Sequence, residues 1–141
     1  VQAQVLELLN ELKKKLGMSL VMITHDMGII ANVATRVVVL YAGRVCEIAR
    51  THDLFELPRH PYTAALLAAV PRLDMKKDLR VIPGNIPNLI EPPSGCRFHP
   101  RCEYAKEICE KMVPVLEEVD PDHFVACHEW RNISLKGKTS A

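Results

Sequence analysis

The sequence predicts an α/β fold, and three observations carry that prediction. Apolar residues at three- and four-residue steps predict an amphipathic helix over residues 2–16, which Gly17 ends. An uninterrupted apolar run over residues 18–24 is typical of a strand buried on both faces, as in parallel sheets. β-branched residues over 36–42 and a second run over 45–49 predict two more strands, joined as a hairpin. Elements that alternate in this way are characteristic of an α/β domain.

Capping and stop residues define the helices between and after these strands. Asp26 can cap a helix over residues 27–34, because its carboxylate can accept the free N–H groups of the first turn. A short helix is predicted over residues 51–57, where Pro58 stops it. Pro61 then occupies the first turn of another helix. The first half of the chain is therefore predicted to be mostly regular.

The second half has a different character, and we place a domain boundary between residues 72 and 73. Prolines and glycines crowd residues 81–95, which excludes a long helix or a central strand and predicts an extended arm. Further on, residues 103–112 are predicted to be helical and residues 123–130 to include a short strand. Regular structure should be sparse here.

Composition excludes several functional classes. The chain of 141 residues is 48% hydrophobic and 25% charged, as in ordinary globular proteins. Its net charge of +1 gives no field that would attract nucleic acid. The apolar runs are too short to span a bilayer, so we expect any membrane connection to come through a partner. Five cysteines, an odd number, argue against a secreted disulfide scaffold.

His25 is the first candidate functional residue. It directly follows the apolar run, and ligands of open α/β sheets bind beyond the carboxyl ends of strands. The alternative is a histidine that only caps the strand and hydrogen-bonds locally. On the pattern alone the two interpretations have about equal weight.

Four cysteines in the second half are candidate metal ligands. Five, six and seventeen residues separate them in turn, and a loop-rich segment of this kind commonly needs a staple. The spacing lacks the paired C-x2-C knuckles of structural zinc sites and differs from the common ferredoxin runs. From chemistry alone, an iron–sulfur cluster, a zinc ion and disulfides or free thiols all stay open. The four are Cys96, Cys102, Cys109 and Cys127.

Residues near these cysteines have weaker claims to a role. Arg97 and Arg101 could offset the negative charge of a thiolate centre. His99 and His128 could replace a cysteine ligand in a zinc site, although these two histidines are expected to be supporting or surface groups. Cys46 is expected to be a small buried side chain. No pattern places Cys46 against His25, which disfavours a nucleophilic pair.

Two motifs resemble a known family. The order and spacing of residues 1–9, 19–30 and 37–45 resemble the C-terminal part of the ATP-binding subunit of an ABC transporter. The run from Arg59-His60-Pro61-Tyr62 to residue 71 resembles the segment that marks the dipeptide/oligopeptide permease branch. The resemblance implies an incomplete ABC-type nucleotide-binding domain over residues 1–72, followed by a small irregular cysteine-rich module over residues 73–141.

The resemblance also implies roles for individual residues. His25 matches the family's switch histidine, which contacts the γ-phosphate of ATP. The four cysteines named above match the tail of peptide-permease ATPases, which is associated with a [4Fe–4S] cluster; zinc or disulfides are the alternatives. The chain contains no phosphate loop of the G-x-x-x-x-G-K-[ST] kind. We therefore expect a C-terminal fragment that does not hydrolyse ATP alone.

For the parent protein, the resemblance implies an ATPase that uses ATP and Mg²⁺ to power peptide import. Its implied partners are a second ATP-binding subunit, transmembrane permease subunits and, indirectly, a substrate-binding protein. It would lie peripherally at the cytoplasmic face of the cell membrane. We expect the fragment to form a homo-oligomer that covers its unpartnered apolar surface. The alternative function is a stand-alone metal-binding interaction module.

Overall fold

The computed structural model describes residues 2–70, 82–85 and 87–137. The chain divides into two compact units, Val1–Thr35 and Arg36–Ala141. The predicted domain boundary between residues 72 and 73 lies outside the described residues. None of the helices in the described part of the chain is long and apolar enough to cross a membrane.

The first unit contains two helices, and both were predicted. Helix α1 is Gln2–Leu16 and helix α2 is Met27–Val33. Gly17 follows α1 with a φ of +63°, the left-handed conformation that glycine adopts without strain. Apolar spacing with a terminal glycine was sufficient to place α1, and the cap at Asp26 to place α2.

The strand predicted over residues 18–24 is wrong. The structure describes these residues as neither helix nor strand, and the side chains of Val21 and Ile23 are 90% and 97% exposed. A strand is stable only when neighbouring strands take up its backbone hydrogen bonds and cover its apolar faces. The described residues of the unit Val1–Thr35 include no strand that could do so.

The second unit is built on a β-hairpin. Strand β1 is Arg36–Tyr41 and strand β2 is Arg44–Arg50. The two residues between them, Ala42 and Gly43, both have positive φ values, as two-residue hairpin turns commonly require. The predicted hairpin is confirmed within a residue or two at each end.

The described strands form one four-stranded antiparallel sheet in the order β1-β2-β4-β3. Strand β3 is Glu117–Asp120 and was not predicted; strand β4 is His123–Val125, shorter than expected. The α/β class is confirmed, and the sheet that the described residues form is antiparallel. The apolar run that suggested a parallel sheet is unpaired, whereas residues distant in sequence complete the antiparallel sheet.

Short helices flank this sheet. Helices α3 (Thr51–Glu56) and α4 (Pro61–Ala68) confirm two predictions and contact β2. A 3₁₀ turn at His99–Arg101 and helix α5 (Glu107–Lys111) follow, so the helix predicted over residues 103–112 is about half as long as expected. Many core side chains come from the strands and from α3 and α4, among them Val37, Val39, Tyr41, Ala49, Leu54, Leu67 and Val125.

Candidate functional site

The four cysteines of the second half line one pocket in the unit Arg36–Ala141. Each reaches it from a different piece of backbone. Cys96 precedes the 3₁₀ turn, Cys102 follows it, Cys109 lies in α5, and Cys127 lies just beyond β4. The structure thus brings together all four residues that the sequence singled out as metal ligands.

Gly95 explains how Cys96 can lie against Cys109. Gly95 has a φ of +64°, and a Cβ atom there would lie 2.3 Å from the Cys109 carbonyl oxygen and 2.8 Å from the Glu110 backbone. The Cys96 N–H donates to the Cys109 carbonyl at 2.8 Å, and the Ser94 hydroxyl donates to the Glu110 carbonyl at 2.8 Å. Only glycine permits this close approach of two backbone segments.

Backbone N–H groups hydrogen-bond to three of the four sulfurs. Phe98 and His99 supply these donors to Cys96, Tyr104 supplies one to Cys102, and Glu129 supplies one to Cys127. In three cases the donor lies two residues after the cysteine, which folds the backbone around the sulfur. Hydrogen bonds of this kind favour the thiolate over the thiol.

Burial nevertheless dominates the chemistry of these thiols. Desolvation raises the pKa of Cys96, and raises the pKa of Cys102 to about 11 and that of Cys127 to about 12. Repulsion between the developing thiolates contributes in the same direction, whereas the backbone N–H groups oppose it. A bound cation would reverse this balance, because it supplies the positive charge that the buried thiolates need.

The described thiols are free, and their present arrangement is not that of a mononuclear metal site. All five cysteines are unpaired. Within residues 2–70, 82–85 and 87–137, no group of three or more His, Cys, Asp or Glu side chains is placed to hold a metal ion. The donor set fits a thiophilic centre by its chemistry, since four cysteines share one pocket.

The four weaker candidates near the pocket have partners of their own. His99 Nδ1 hydrogen-bonds to the Cys96 carbonyl at 2.8 Å, and His128 Nε2 to the Met112 carbonyl at 2.9 Å. Arg97 donates to the carbonyl of the β-hairpin turn. Arg101 donates to the arm and to β1: to the carbonyls of Pro83 (2.8 Å) and Ile82 (3.1 Å), and to the Tyr41 hydroxyl (3.2 Å). Both guanidinium groups therefore join chain segments.

Sequence reasoning missed a buried carboxylate that accepts a hydrogen bond from the backbone of His60, one of the residues that line this pocket. Glu47, in β2, is 0% exposed. Its Oε1 accepts a hydrogen bond from the Arg59 N–H at 2.6 Å and lies 2.7 Å from His123 Nε2. Its Oε2 accepts a hydrogen bond from the His60 N–H at 3.0 Å. A buried carboxylate must be paired in this way to offset its desolvation. The available signal was a glutamate between apolar residues of a predicted strand.

His25 lies in the other unit, Val1–Thr35, and is exposed. It stands in a bend directly before α2. On one side, the Thr24 hydroxyl accepts from the Asp26 N–H at 3.0 Å. On the other, Asp26 Oδ1 accepts from the N–H groups of Gly28 (2.8 Å) and Ile29 (3.1 Å), which confirms the predicted cap. These hydrogen bonds hold the backbone on either side of His25, which is itself exposed.

Comparison with known proteins gives consistent matches. Residues 46–109 match the family model described as "Oligopeptide/dipeptide transporter, C-terminal region". The oligopeptide transport ATP-binding protein OppD of Salmonella typhimurium is 48% identical over 128 residues, covering 90% of this chain and 38% of that protein. Two putative peptide import ATP-binding proteins of Brucella ovis are 43% identical over 141 residues (95% of this chain, 42% of the relative) and 45% identical over 129 residues (90% and 41%). The chain thus spans about two fifths of the length of these relatives.

Proposed function

We propose that the chain is the C-terminal region of a peptide ABC-transporter ATP-binding protein, and so part of an ATP-hydrolysing subunit that powers peptide import. The observation that carries this proposal is the 48% identity, over 128 residues, to a protein named for oligopeptide transport and ATP binding. The chain contains no phosphate loop, so the remaining ATP and Mg²⁺ contacts would come from elsewhere in the parent subunit. The chain alone is not an ATPase under this proposal.

In this proposal His25 contacts the γ-phosphate of ATP and helps to order the attacking water. Its exposed position supports the role, because an imidazole that must meet a ligand cannot be committed to the protein core. The hydrogen bonds of Thr24 and Asp26 hold the flanking backbone, so little conformational freedom would be lost on binding ATP. Asp26 itself is engaged in capping α2.

The parent subunit would act with the partners of an importer. A second ATP-binding subunit would complete the ATP site, and closure of the pair would drive two transmembrane permease subunits. A substrate-binding protein would deliver the peptide from outside. The subunit would lie peripherally at the cytoplasmic face of the membrane.

We assign the cysteine pocket to a metal centre held by Cys96, Cys102, Cys109 and Cys127. The shared pocket and the N–H groups bonded to three of the sulfurs support this assignment. Four cysteine ligands suit a [4Fe–4S] cluster, with zinc or disulfides as alternatives. When bound, the cluster would staple the loops together and supply a one-electron redox centre.

ATP hydrolysis tests the role of His25. In the parent subunit assembled with its permease partners, His25→Ala should reduce phosphate release by about a hundredfold or more, as loss of a residue that stabilises the transition state does. The control is His52→Ala, on the exposed face of α3. Equal rates in the two variants would contradict the assignment. Phosphate release by the 141-residue chain alone would contradict its proposed inactivity.

Metal analysis tests the cysteine assignment. Anaerobically purified chain should contain iron and show a broad visible thiolate-to-iron absorption, which Cys102→Ser should abolish and Cys46→Ser should leave intact. Zinc without iron would make the pocket a structural clip. A chain without metal after reconstitution with iron and sulfide, or with zinc, would refute the assignment.

Exposed apolar residues at 18–24 support a homo-oligomer of the isolated chain. Val21 and Ile23 are almost fully exposed, and side chains of this kind gain free energy by association. Light scattering over a wide range of concentrations should therefore give a mass above that of one chain. A constant monomer mass would contradict this expectation.

A further inference from the structure

Cys96 and Cys109 belong to two backbone segments that are in direct contact. The Cys96 N–H donates to the Cys109 carbonyl oxygen at 2.8 Å, and the Ser94 hydroxyl donates to the Glu110 carbonyl oxygen at 2.8 Å. Between these two hydrogen bonds, Gly95 lies so close to the Cys109 carbonyl that a Cβ atom would not fit. The fold therefore holds the two cysteines together, although twelve residues separate them in the sequence.

This backbone contact puts the two cysteines within reach of a disulfide bond. The lengths of the bonds that link the two Cα atoms through the Cys96 N–H and the Cys109 carbonyl limit their separation to about 7 Å. Residues that are paired by backbone hydrogen bonds in sheets have Cα atoms about 5.5 Å apart. Disulfides span Cα separations of about 4.4–6.8 Å. Both side chains also line the same pocket, so the two sulfurs share one space.

The other two cysteines of the pocket are held by different contacts. The His99 N–H donates to the Cys96 carbonyl at 3.0 Å, and the Cys102 N–H donates to the His99 carbonyl at 3.2 Å, so two successive turns separate Cys96 from Cys102. Cys127 follows Ala126, whose N–H donates to the carbonyl of Cys46 in β2 at 2.8 Å. Among the described cysteines of the pocket, a direct backbone hydrogen bond joins only Cys96 and Cys109.

We infer that Cys96 and Cys109 are a reversible redox pair, which hydrogen peroxide oxidises to a disulfide. Cys96 is partly exposed whereas Cys109 is 7% exposed, so the peroxide meets Cys96 first. The Cys96 sulfur takes one oxygen atom from the peroxide and becomes a sulfenic acid, and the other oxygen leaves as water. The Cys109 sulfur then attacks the Cys96 sulfur: the S–O bond breaks, the S–S bond forms, and the hydroxyl group leaves with the Cys109 proton as a second water.

The redox pair goes beyond the proposed metal centre and does not depend on it, because the described thiols are free. The disulfide would use two of the four thiols that the metal centre needs, so oxidation and metal binding would exclude each other. It would also close a loop over residues 97–108, around the 3₁₀ turn. A cross-link of this kind restricts the unfolded chain, so oxidation should raise the urea midpoint of unfolding.

Peptide mapping of the full chain tests the pair. The chain is reduced, freed of metal with a chelator and treated with excess hydrogen peroxide. Trypsin cleaves after Lys and Arg and leaves each cysteine in a different peptide: residues 45–50, 81–97, 102–106, 107–111 and 112–131. Peptide 81–97 should be joined to peptide 107–111, and the number of free thiols should fall by two, from five to three. A dithiol reductant should restore all five.

Oxidation of the same chain in concentrated urea is the matched control. In the unfolded chain the shortest loops close most readily, which favours Cys96–Cys102 and Cys102–Cys109, with five and six residues between the cysteines. The preference for Cys96–Cys109 should therefore be lost in urea. In the folded chain, Cys102→Ser should keep the disulfide and Cys109→Ser should abolish it.

Each outcome bears on one claim. Folded wild-type chain that keeps five free thiols, that joins Cys96 mainly to Cys102 or Cys127, or that gives the same pairs as the unfolded chain would overturn the redox pair. The mapping is made on wild-type chain, so it stands even where a variant does not fold. Metal uptake is measured separately on the reduced chain: no uptake would overturn the metal centre and leave the redox pair standing.

Discussion

Lowering the pH should destabilise the metal-free chain through the buried imidazole of His60. Burial lowers the pKa of His60 from 6.5 to about 4, and the Glu47 carboxylate and the Ala126 backbone only partly oppose this effect. The unfolded chain therefore takes up a proton at higher pH than the folded chain does. The stability that the neutral imidazole contributes is present above the unfolded pKa and is lost as the pH falls from 6.5 towards 4.

The size of the effect follows from the two pKa values. A difference of one pKa unit corresponds to about 1.4 kcal/mol, so the whole shift is equivalent to about 3 kcal/mol. Between about pH 7 and about pH 5 the same linkage gives a loss of about 2 kcal/mol. Domains of this size are stable by only about 5–15 kcal/mol, so such a loss is readily measured.

Urea unfolding of wild-type chain and His60→Asn, with reductant and chelator present, provides the assay. Asparagine does not titrate, and the other acids and bases are common to both proteins. Between about pH 7 and about pH 5, His60→Asn should therefore lose about 2 kcal/mol less unfolding free energy than wild type. Equal losses in the two proteins would refute the claim that His60 is neutral and buried.

Three further substitutions test the packing around the sites. Gly95→Ala should lower the unfolding free energy by about 2–4 kcal/mol in the same urea titration, because the new Cβ would collide with the Cys109 carbonyl. The control is Gly43→Ala, which is also at positive φ. It should cost only about 1 kcal/mol, because its new Cβ would lie 3.4 Å from the end of the flexible Arg97 side chain. Glu47→Gln should lower the unfolding free energy by about 3 kcal/mol, because the new amide NH₂ would face an N–H group that now donates to the carboxylate. A loss below about 1 kcal/mol would contradict the importance of these buried hydrogen bonds. Asp26→Ala should cost α2 about 1 kcal/mol and accelerate hydrogen exchange at the amides that the carboxylate caps, whereas unchanged exchange would show that the cap is unimportant.

Elements that depend on neighbouring residues were predictable from the sequence. The Asp26 cap, the start of α4 at Pro61 and the hairpin turn at Gly43 each follow from the stereochemistry of one or two residues. The unpaired state of residues 18–24 and the pairing of the antiparallel sheet were not predictable in this way, because strand pairing depends on which distant segment supplies the next strand. Strand β4 pairs with β2 across more than seventy residues of chain, and no local pattern announces that register.

The candidate site shows the same division between local and distant information. Cysteines are rare enough for Cys96, Cys102, Cys109 and Cys127 to stand out, and all four line one pocket, whereas their role as metal ligands stays a prediction. Glu47 and His60 did not stand out as parts of one network, because their significance lies in contacts with segments distant in sequence.

The electrostatics of the pocket arise mainly from the burial of its cysteines. Burial keeps the pKa values of Cys102 and Cys127 near 11 and 12, so the thiols are neutral without a cation. Under the proposed metal role, uptake of a cation would have to displace protons from these buried sulfurs, which costs free energy. The N–H groups bonded to the sulfurs meet part of that cost directly.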